Sequence, residues 1–357
     1  LKIAVLGGGN GAFAAAGDFS LAGHEVRLWR RAQHAAGNAV VVTDHAGRRE
    51  VRLDLVTSDL AEAVSGAELV LCPVPAFAQP AIAMQLAPLL CNGQVVFLPP
   101  GSFGSFLLAH AAHQAGNHAS VSYVETGTLP WLARKQGDND VRISARAKHL
   151  PAGVFPQCRA EYALDIIGKV FPGVIEPCGD VLSGALMNAG PIIHPPLITM
   201  NAGPIEHFER WDIHNEGTQP AIRQVTDQLD AERIAVREAL GYGPPHFPLA
   251  DHYASEGPEW MYGRGSHEKL TESGDWHEHL ILREHRYMLE DVKIGLSLLV
   301  SVADLAGVRV PLARAFLAIG SAICREDFLL TGRTLANLGL TGMDRNALQA
   351  LLRDGFA

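Results

Sequence analysis

Several short stretches carry residue types able to do chemistry. The first is Gly7-Gly8-Gly9-Asn10-Gly11-Ala12, which fits G-x-G-x-x-A. Gly7 allows a tight turn out of a strand. Gly9 has no side chain, so a pyrophosphate can approach the backbone. Ala12, in place of a third glycine, still lets helix and strand pack closely. The amides opening the next helix, at Asn10 and Gly11, then face the phosphates, helped by the helix dipole. Alone, such a loop could be a glycine turn with no ligand. Here it follows a strand pattern and opens a helical one, which points to dinucleotide binding.

The end of the second strand selects the cofactor. An NAD enzyme usually has an acid there, bonded to the ribose 2'-hydroxyl. This chain reads Leu28-Trp29-Arg30-Arg31 instead. A guanidinium suits a 2'-phosphate through its planar fork of donors, so NADP(H) is the expected cofactor. Trp29 or Arg30 could stack on adenine. The alternative is that Arg30 and Arg31 are solvated and NAD is used without an acidic contact.

Two further stretches lie in the second half. In Asn188-Ala189-Gly190-Pro191-Ile192-Ile193-His194-Pro195-Pro196 the prolines each remove a backbone donor and disfavour a straight helix. They would put His194 at a bent or terminal position. A lone His is more often a satisfied core residue than a catalyst. In Arg286-Tyr287-Met288-Leu289-Glu290-Asp291, Arg286 and Glu290 have the i,i+4 spacing of a surface salt bridge. Arg286 and Asp291 are about 140° apart on a regular helix. They share a site only if Arg286 sits at the helix start or reaches around.

The elements that must position these groups follow from patterning. Lys2 to Leu6, Glu25 to Trp29, Glu68 to Cys72 and Gln94 to Leu98 read as short strands. Helical stretches separate them: Ala12 to Ala22, Phe77 to Leu89 and Ser105 to Ala115. That alternation predicts a parallel sheet covered on both faces. Val40 to Leu55 reads as an inserted hairpin. Val121 to Val124 and Val141 to Ala147 read as late strands, with a helix near Cys158 to Val170. After Asp180 the stretches 180–202, 219–240, 282–306 and 311–324 read as helices. Pro172, Gly173, Pro177 and Gly179 mark the break. The expected plan is therefore an α/β dinucleotide-binding domain, residues 1–178, followed by an all-α domain, residues 179–357. Tyr242 to Asp275 reads as a long functional loop, and Asp344 to Asp354 as a closing amphipathic helix.

Composition narrows the classes. The 357 residues are 48% hydrophobic and 19% charged, which permits a sizeable core. Lys plus Arg is 29 against 38 Asp plus Glu, a net charge of -9. That disfavours a general nucleic-acid or membrane-surface binder. No stretch reads as a membrane span. No signal-peptide layout precedes Lys2, and Leu1 in place of Met suggests a trimmed or processed start. Five cysteines without a CxxC pair fit free thiols in a reducing cytoplasm. His110 and His113 at i,i+3, and His277-Glu278-His279, lack HExxH or Cys/His spacing, so no metal is expected.

In order along most of its length, the sequence resembles the opine dehydrogenases, the octopine/nopaline dehydrogenase family. The resemblance runs through Gly7 to Ala12, Val74-Pro75-Ala76, Glu125-Thr126, Leu129-Pro130-Trp131, Asn188, His194-Pro195, Asp230 to Arg233, Arg286-Tyr287 with Glu290-Asp291, and Gly332 to Leu335. It implies a Rossmann domain and a helical domain, with catalysis in the cleft between them. It also implies the activity: a 2-oxo acid condenses with an amino acid's amine, and NAD(P)H reduces the imine. By this resemblance His194 is the general acid/base and Asp291 orients it and favours its charged form. Arg286 grips the oxo-acid carboxylate. Val74, Pro75 and Ala76 line the nicotinamide side, and Ser102 and Asn188 touch substrate. More distant hydroxy-acid and glycerol-3-phosphate dehydrogenases have a Lys where this chain has Met187, and a thioether is no acid. Expected partners are thus a 2-oxo acid and an amino acid, with assembly as a homodimer left open. The rival readings are a plain 2-oxo-acid or 2-hydroxy-acid reductase and a non-catalytic NADP(H) sensor.

Overall fold

The computed structural model describes residues 1–31, 37–265, 267–268, 271 and 279–356. The chain divides into two compact units. The first comprises Leu1–Ala185 together with the last residues from Leu352 on; the second is Leu186–Leu351.

The first unit begins β1 (Lys2–Leu6), α1 (Asn10–Leu21), β2 (Glu25–Trp29), β3 (Ala39–Asp44), β4 (Gly47–Arg52), β5 (Leu55–Thr57), α2 (Leu60–Val64), β6 (Leu69–Leu71), α3 (Gln79–Leu86). It continues β7 (Val95–Leu98), α4 (Gly104–Gln114), β8 (Ser122–Thr126), β9 (Trp131–Lys135), β10 (Asp140–Arg146), β11 (Leu150–Phe155), α5 (Ala160–Gly168), β12 (Ile175–Asp180), α6 (Val181–Ala185). The main sheet has the order β12-β11-β8-β7-β6-β1-β2-β5. Its pairs are parallel except β11 with β8. The central strands are apolar throughout because helices cover both faces, so no alternation survives.

The hairpin expected over 40–55 is β3 and β4. It does not stand alone: β4-β3-β10-β9 form a second sheet. This sheet packs on α1, where a Cβ at Gly17 would overlap the Val42 side chain. β12 lies across the expected break at Pro177 and Gly179. Sequence patterning misses it because Pro and Gly read as a turn. On an edge strand a proline's missing donor faces outward, so the ladder tolerates it.

The second unit is helical, as patterning predicts: α7 (Gly190–Thr199), α8 (Ala202–His207), α9 (Pro220–Ala239), α10 (Ala250–Tyr253), α11 (Tyr287–Leu296), α12 (Ser297–Ala306), α13 (Pro311–Cys324), α14 (Phe328–Thr331) and α15 (Arg345–Asp354), which ends beyond it. Two features depart from expectation. The break falls at 186–189, and α7 runs on through Pro195 and Pro196. Pro191 sits in the first turn, where a missing donor matters least. The two later prolines leave only the carbonyls of Pro191 and Ile192 without their usual donors. His194 therefore lies mid-helix, not at a terminus. The stretch 282–306 is also not one regular helix, because α11 is a wide π-helix continuous with α12. No described helix is long and apolar enough to cross a membrane.

Candidate active site

The glycine loop leaves β1 as expected. Gly7 has φ +134°, a conformation that disfavours a side chain, and its amide donates to the Trp29 carbonyl at 2.9 Å. A Cβ at Gly11 would lie 2.9 Å from Leu129, so packing alone explains that glycine. Gly9 is different. A Cβ there would meet no protein atom within 4 Å, so nothing in the chain's own packing requires a glycine. Gly9 is also the N-cap of α1, and no side chain takes the helix's first amides. A phosphate-bearing dinucleotide fits both facts. Val74 adjoins the loop, 3.4 Å from a Cβ placed on Gly7, and Pro75 and Ala76 follow it after β6. The Asn10 side chain accepts the Lys135 amide at 3.0 Å, which ties the loop to β9.

The residues after β2 diverge. Trp29 is 5% exposed and donates to the Ser58 carbonyl at 3.1 Å. Its ring is packed in the interior, which leaves Arg30 of the two residues expected to be able to stack on adenine. Arg30 is buried and lies over the Phe13 ring at 5.0 Å. Arg31 is exposed.

The loop after β7 carries Ser102 and Phe103 at φ 51° and 66°, unusual for residues with a side chain. Buried Glu125 holds them there. It accepts the Phe103 amide at 2.6 Å, the Ser105 amide at 3.2 Å and the Ser105 hydroxyl at 2.6 Å. A Cβ at Gly101 would come within 2.6 Å of that carboxylate. Ser102 is thus fixed in place by a residue on the neighbouring strand.

In the helical unit, α7 and α11 pack closely because two glycines allow it. A Cβ at Gly295 would lie 2.6 Å from the Cβ of Pro191, and one at Gly190 would overlap Oδ1 of Asp291. This approach brings His194 to Asp291, with Nδ1 to Oδ2 at 2.7 Å. Burial pushes the Asp291 carboxyl up to about 7, against the opposing pull of Arg286 and His285. The His194 ring stacks on Tyr287 at 3.7 Å between centroids and 15° between planes. His214 meets it edge-on at 5.9 Å. With Nδ1 engaged, the ring's other nitrogen is the one suited to exchange a proton with a reacting atom.

The wide helix also resolves the spacing of Arg286 and Asp291. A π-helix closes i to i+5, so residues five apart return to one side. Arg286 is the N-cap of α11. It pairs with Glu290 at 3.3 Å, but Glu290 is buried, so the pair is not the solvated one that the surface reading expects; the Arg286 charge also reaches Asp291. Its side chain is 55% exposed. The Asn188 side chain accepts the Gly190 amide at 3.0 Å and so stands at the start of α7.

Sequence reasoning missed several participants. Tyr287 and His214 frame His194; Tyr287 belongs to the Arg286-Tyr287 motif but no role attaches to it in the sequence, and no spacing marks His214. Lys135 reaches the glycine loop from 125 residues away, with no local signal. The histidines weighed for metal have other surroundings: His110 and His113 stack on Phe356. His277 and Glu278 lie outside the described residues, as does part of the loop Tyr242 to Asp275. Its described part carries α10 and the buried run Trp260, Met261 and Tyr262.

Comparison with known proteins agrees with this two-part plan. Residues 2–98 match the N-terminus of NAD-dependent glycerol-3-phosphate dehydrogenase. Residues 177–324 match the alpha-helical domain of NAD/NADP octopine/nopaline dehydrogenase. An opine dehydrogenase of Arthrobacter sp. (strain 1C) is 29% identical over 350 residues, covering 95% of each chain. An octopine dehydrogenase solved with NADH and pyruvate superposes with a TM-score of 0.72 at 20% identity, over 100% of this chain and 99% of the other. A yersinopine dehydrogenase with NADP+ bound gives 0.67 at 17% identity, over 99% and 98%. A Rossmann-like sheet unit, the matched helical domain and a relative aligned along nearly the whole length make this chain similar to the octopine/nopaline dehydrogenases.

Proposed function

We propose that the protein is an NAD(P)H-dependent opine dehydrogenase. It condenses a 2-oxo acid such as pyruvate with the amine of an amino acid and reduces the imine, reversibly, to an N-(carboxyalkyl)amino acid. The observation that carries the proposal is the His194–Asp291 pair at 2.7 Å within the family's helical domain.

The roles follow from the geometry. Asp291 accepts a hydrogen bond at Nδ1 of His194 and fixes the tautomer, so Nε2 does the proton transfer. During condensation the departing oxygen needs a proton, and His194 gives it. In the reduction that follows, protonation of the imine nitrogen makes the adjacent carbon electron-poor. A positioned acid of this kind is worth ~10²–10⁴-fold. Bound NAD(P)H supplies the hydride that this carbon accepts. Arg286 holds the oxo-acid carboxylate by two-point bonding, which sets the face presented. Ser102 and Asn188 are the further substrate contacts. Gly7, Gly9, Asn10, Gly11 and Ala12 hold the pyrophosphate, and Val74, Pro75 and Ala76 line the nicotinamide side. NADP(H) is the preferred form, because the end of β2 offers Arg30 and Arg31 and no acid. The octopine and yersinopine enzymes were solved with NADH and NADP+ respectively, so the fold accommodates either and local residues choose.

The test follows NADPH absorbance while 2-oxo acids are crossed with the standard amino acids, with no-amine controls. Oxidation that requires both substrates is expected. Equal rates without amine would make the protein a plain 2-oxo-acid reductase. Tight NADPH binding without turnover in any combination would make it a sensor.

A further inference from the structure

We infer that Lys135 and Arg30 together clamp the 2'-phosphate of NADP(H), with Phe13 as the apolar wall that holds both cations. The inference rests on the dinucleotide reading and adds a residue to it from a different sheet.

Arg30 is more than nine-tenths buried. Among the described residues its guanidinium has no hydrogen-bond or ion-pair partner; it lies over Phe13 and beside Gly8, 3.7 Å from a Cβ placed there. The residue is buried as a whole while its guanidinium nitrogens keep contact with solvent, so an anion can reach them. Lys135 meets the same ring, with Nζ 3.9 Å from the centroid, and makes only a long contact, 3.4 Å, to the Gly8 carbonyl. Burial, and then the neighbouring Arg30 charge, pull the Lys135 ammonium below its usual range, while Asp138 pulls the other way. Two like charges are thus gathered at the edge of a phosphate-binding loop. They lie where β2 ends, the place in this fold where the ribose 2' substituent is read. The second sheet exists in part to carry one of them there: β9 ends at Lys135, and its amide is bonded to Asn10. A phosphate monoester is the anion that matches two cations, and a 2'-hydroxyl is not.

Calorimetry on the full chain measures Kd for NADP+, NAD+, 2',5'-ADP and 5'-AMP with wild type, Lys135→Gln, Lys135→Arg and Arg30→Gln. Lys135→Gln should weaken NADP+ and 2',5'-ADP about tenfold or more, the scale of one charge-assisted contact. It should leave NAD+ and 5'-AMP within about twofold, and Lys135→Arg should keep most of the NADP+ affinity. The Asn10 bond uses the Lys135 backbone, so these variants retain it; Arg30→Gln must give the same pattern independently. Equal losses for NADP+ and NAD+ would assign Lys135 to the pyrophosphate and overturn the clamp. No loss for either would also overturn it. A wild type that prefers NAD+ would overturn the clamp and keep the dinucleotide reading, whereas one that binds neither would overturn both.

Discussion

Asp291→Asn separates the catalytic use of the buried pair from its effect on stability. In the wild type, Asp291 accepts from His194 at 2.7 Å, and burial pushes its carboxyl from 3.8 up to about 7. Asparagine keeps the shape but cannot support a charged imidazole. One hydrogen bond to a charged group contributes about 1.5–3 kcal/mol, so kcat should fall roughly 10- to 150-fold. Stability should move the other way. A carboxyl that titrates higher when folded binds its proton more tightly in the folded state. The wild type therefore loses stability as pH rises from about 4 to about 7 and is level above that. The full penalty is on the order of 4 kcal/mol before the His194 bond offsets it. The Asn variant lacks this slope. Its unfolding midpoint should gain on wild type between pH 4 and 7, and the difference should be flat from pH 7.5 to 9. The assays are NAD(P)H oxidation at saturating substrates and thermal unfolding across pH. Wild-type kcat in the variant would remove Asp291 from the mechanism. A stability difference that shrinks on going from pH 4 to 7 would refute the burial argument.

Further expectations concern the same helices. His194→Ala should lower kcat by ~10²–10⁴-fold with the Kd for cofactor within about twofold, measured by turnover and by calorimetry. Arg286→Ala should raise KM for the oxo acid about 10-fold or more; an unchanged KM would count against the carboxylate role. Gly295→Ala puts a methyl into overlap with the Pro191 ring, 2.6 Å from its Cβ, and should cost about 1–3 kcal/mol while lowering kcat, because parting α7 from α11 separates His194 from Asp291. Gly203→Ala, where a Cβ meets no atom within 4 Å, is the control and should leave both readouts near wild type.

The parts of the molecule whose signals are local were legible in the sequence. Apolar runs alternating with helical stretches make a parallel sheet because strands buried on both faces must be apolar throughout. The glycine loop after β1 is legible because its backbone needs absent side chains at fixed positions. The end of the strand run near Asp180 marks the passage to helices for a similar reason. Four matters waited for the tertiary structure. Whether His194 has a partner depended on two glycines letting α7 and α11 approach, and a carboxylate 97 residues away supplied the bond. Whether Arg286 and Asp291 share a side depended on the width of α11, which no spacing rule for a regular helix contains. Pro195 and Pro196 look like a break in sequence, yet the packed helix absorbs them. Lys135 shows the limit best: its place beside Gly8 comes from the pairing of strands far apart in the chain. A periodicity records which face of its own element a residue occupies, but not what a distant element brings to that face.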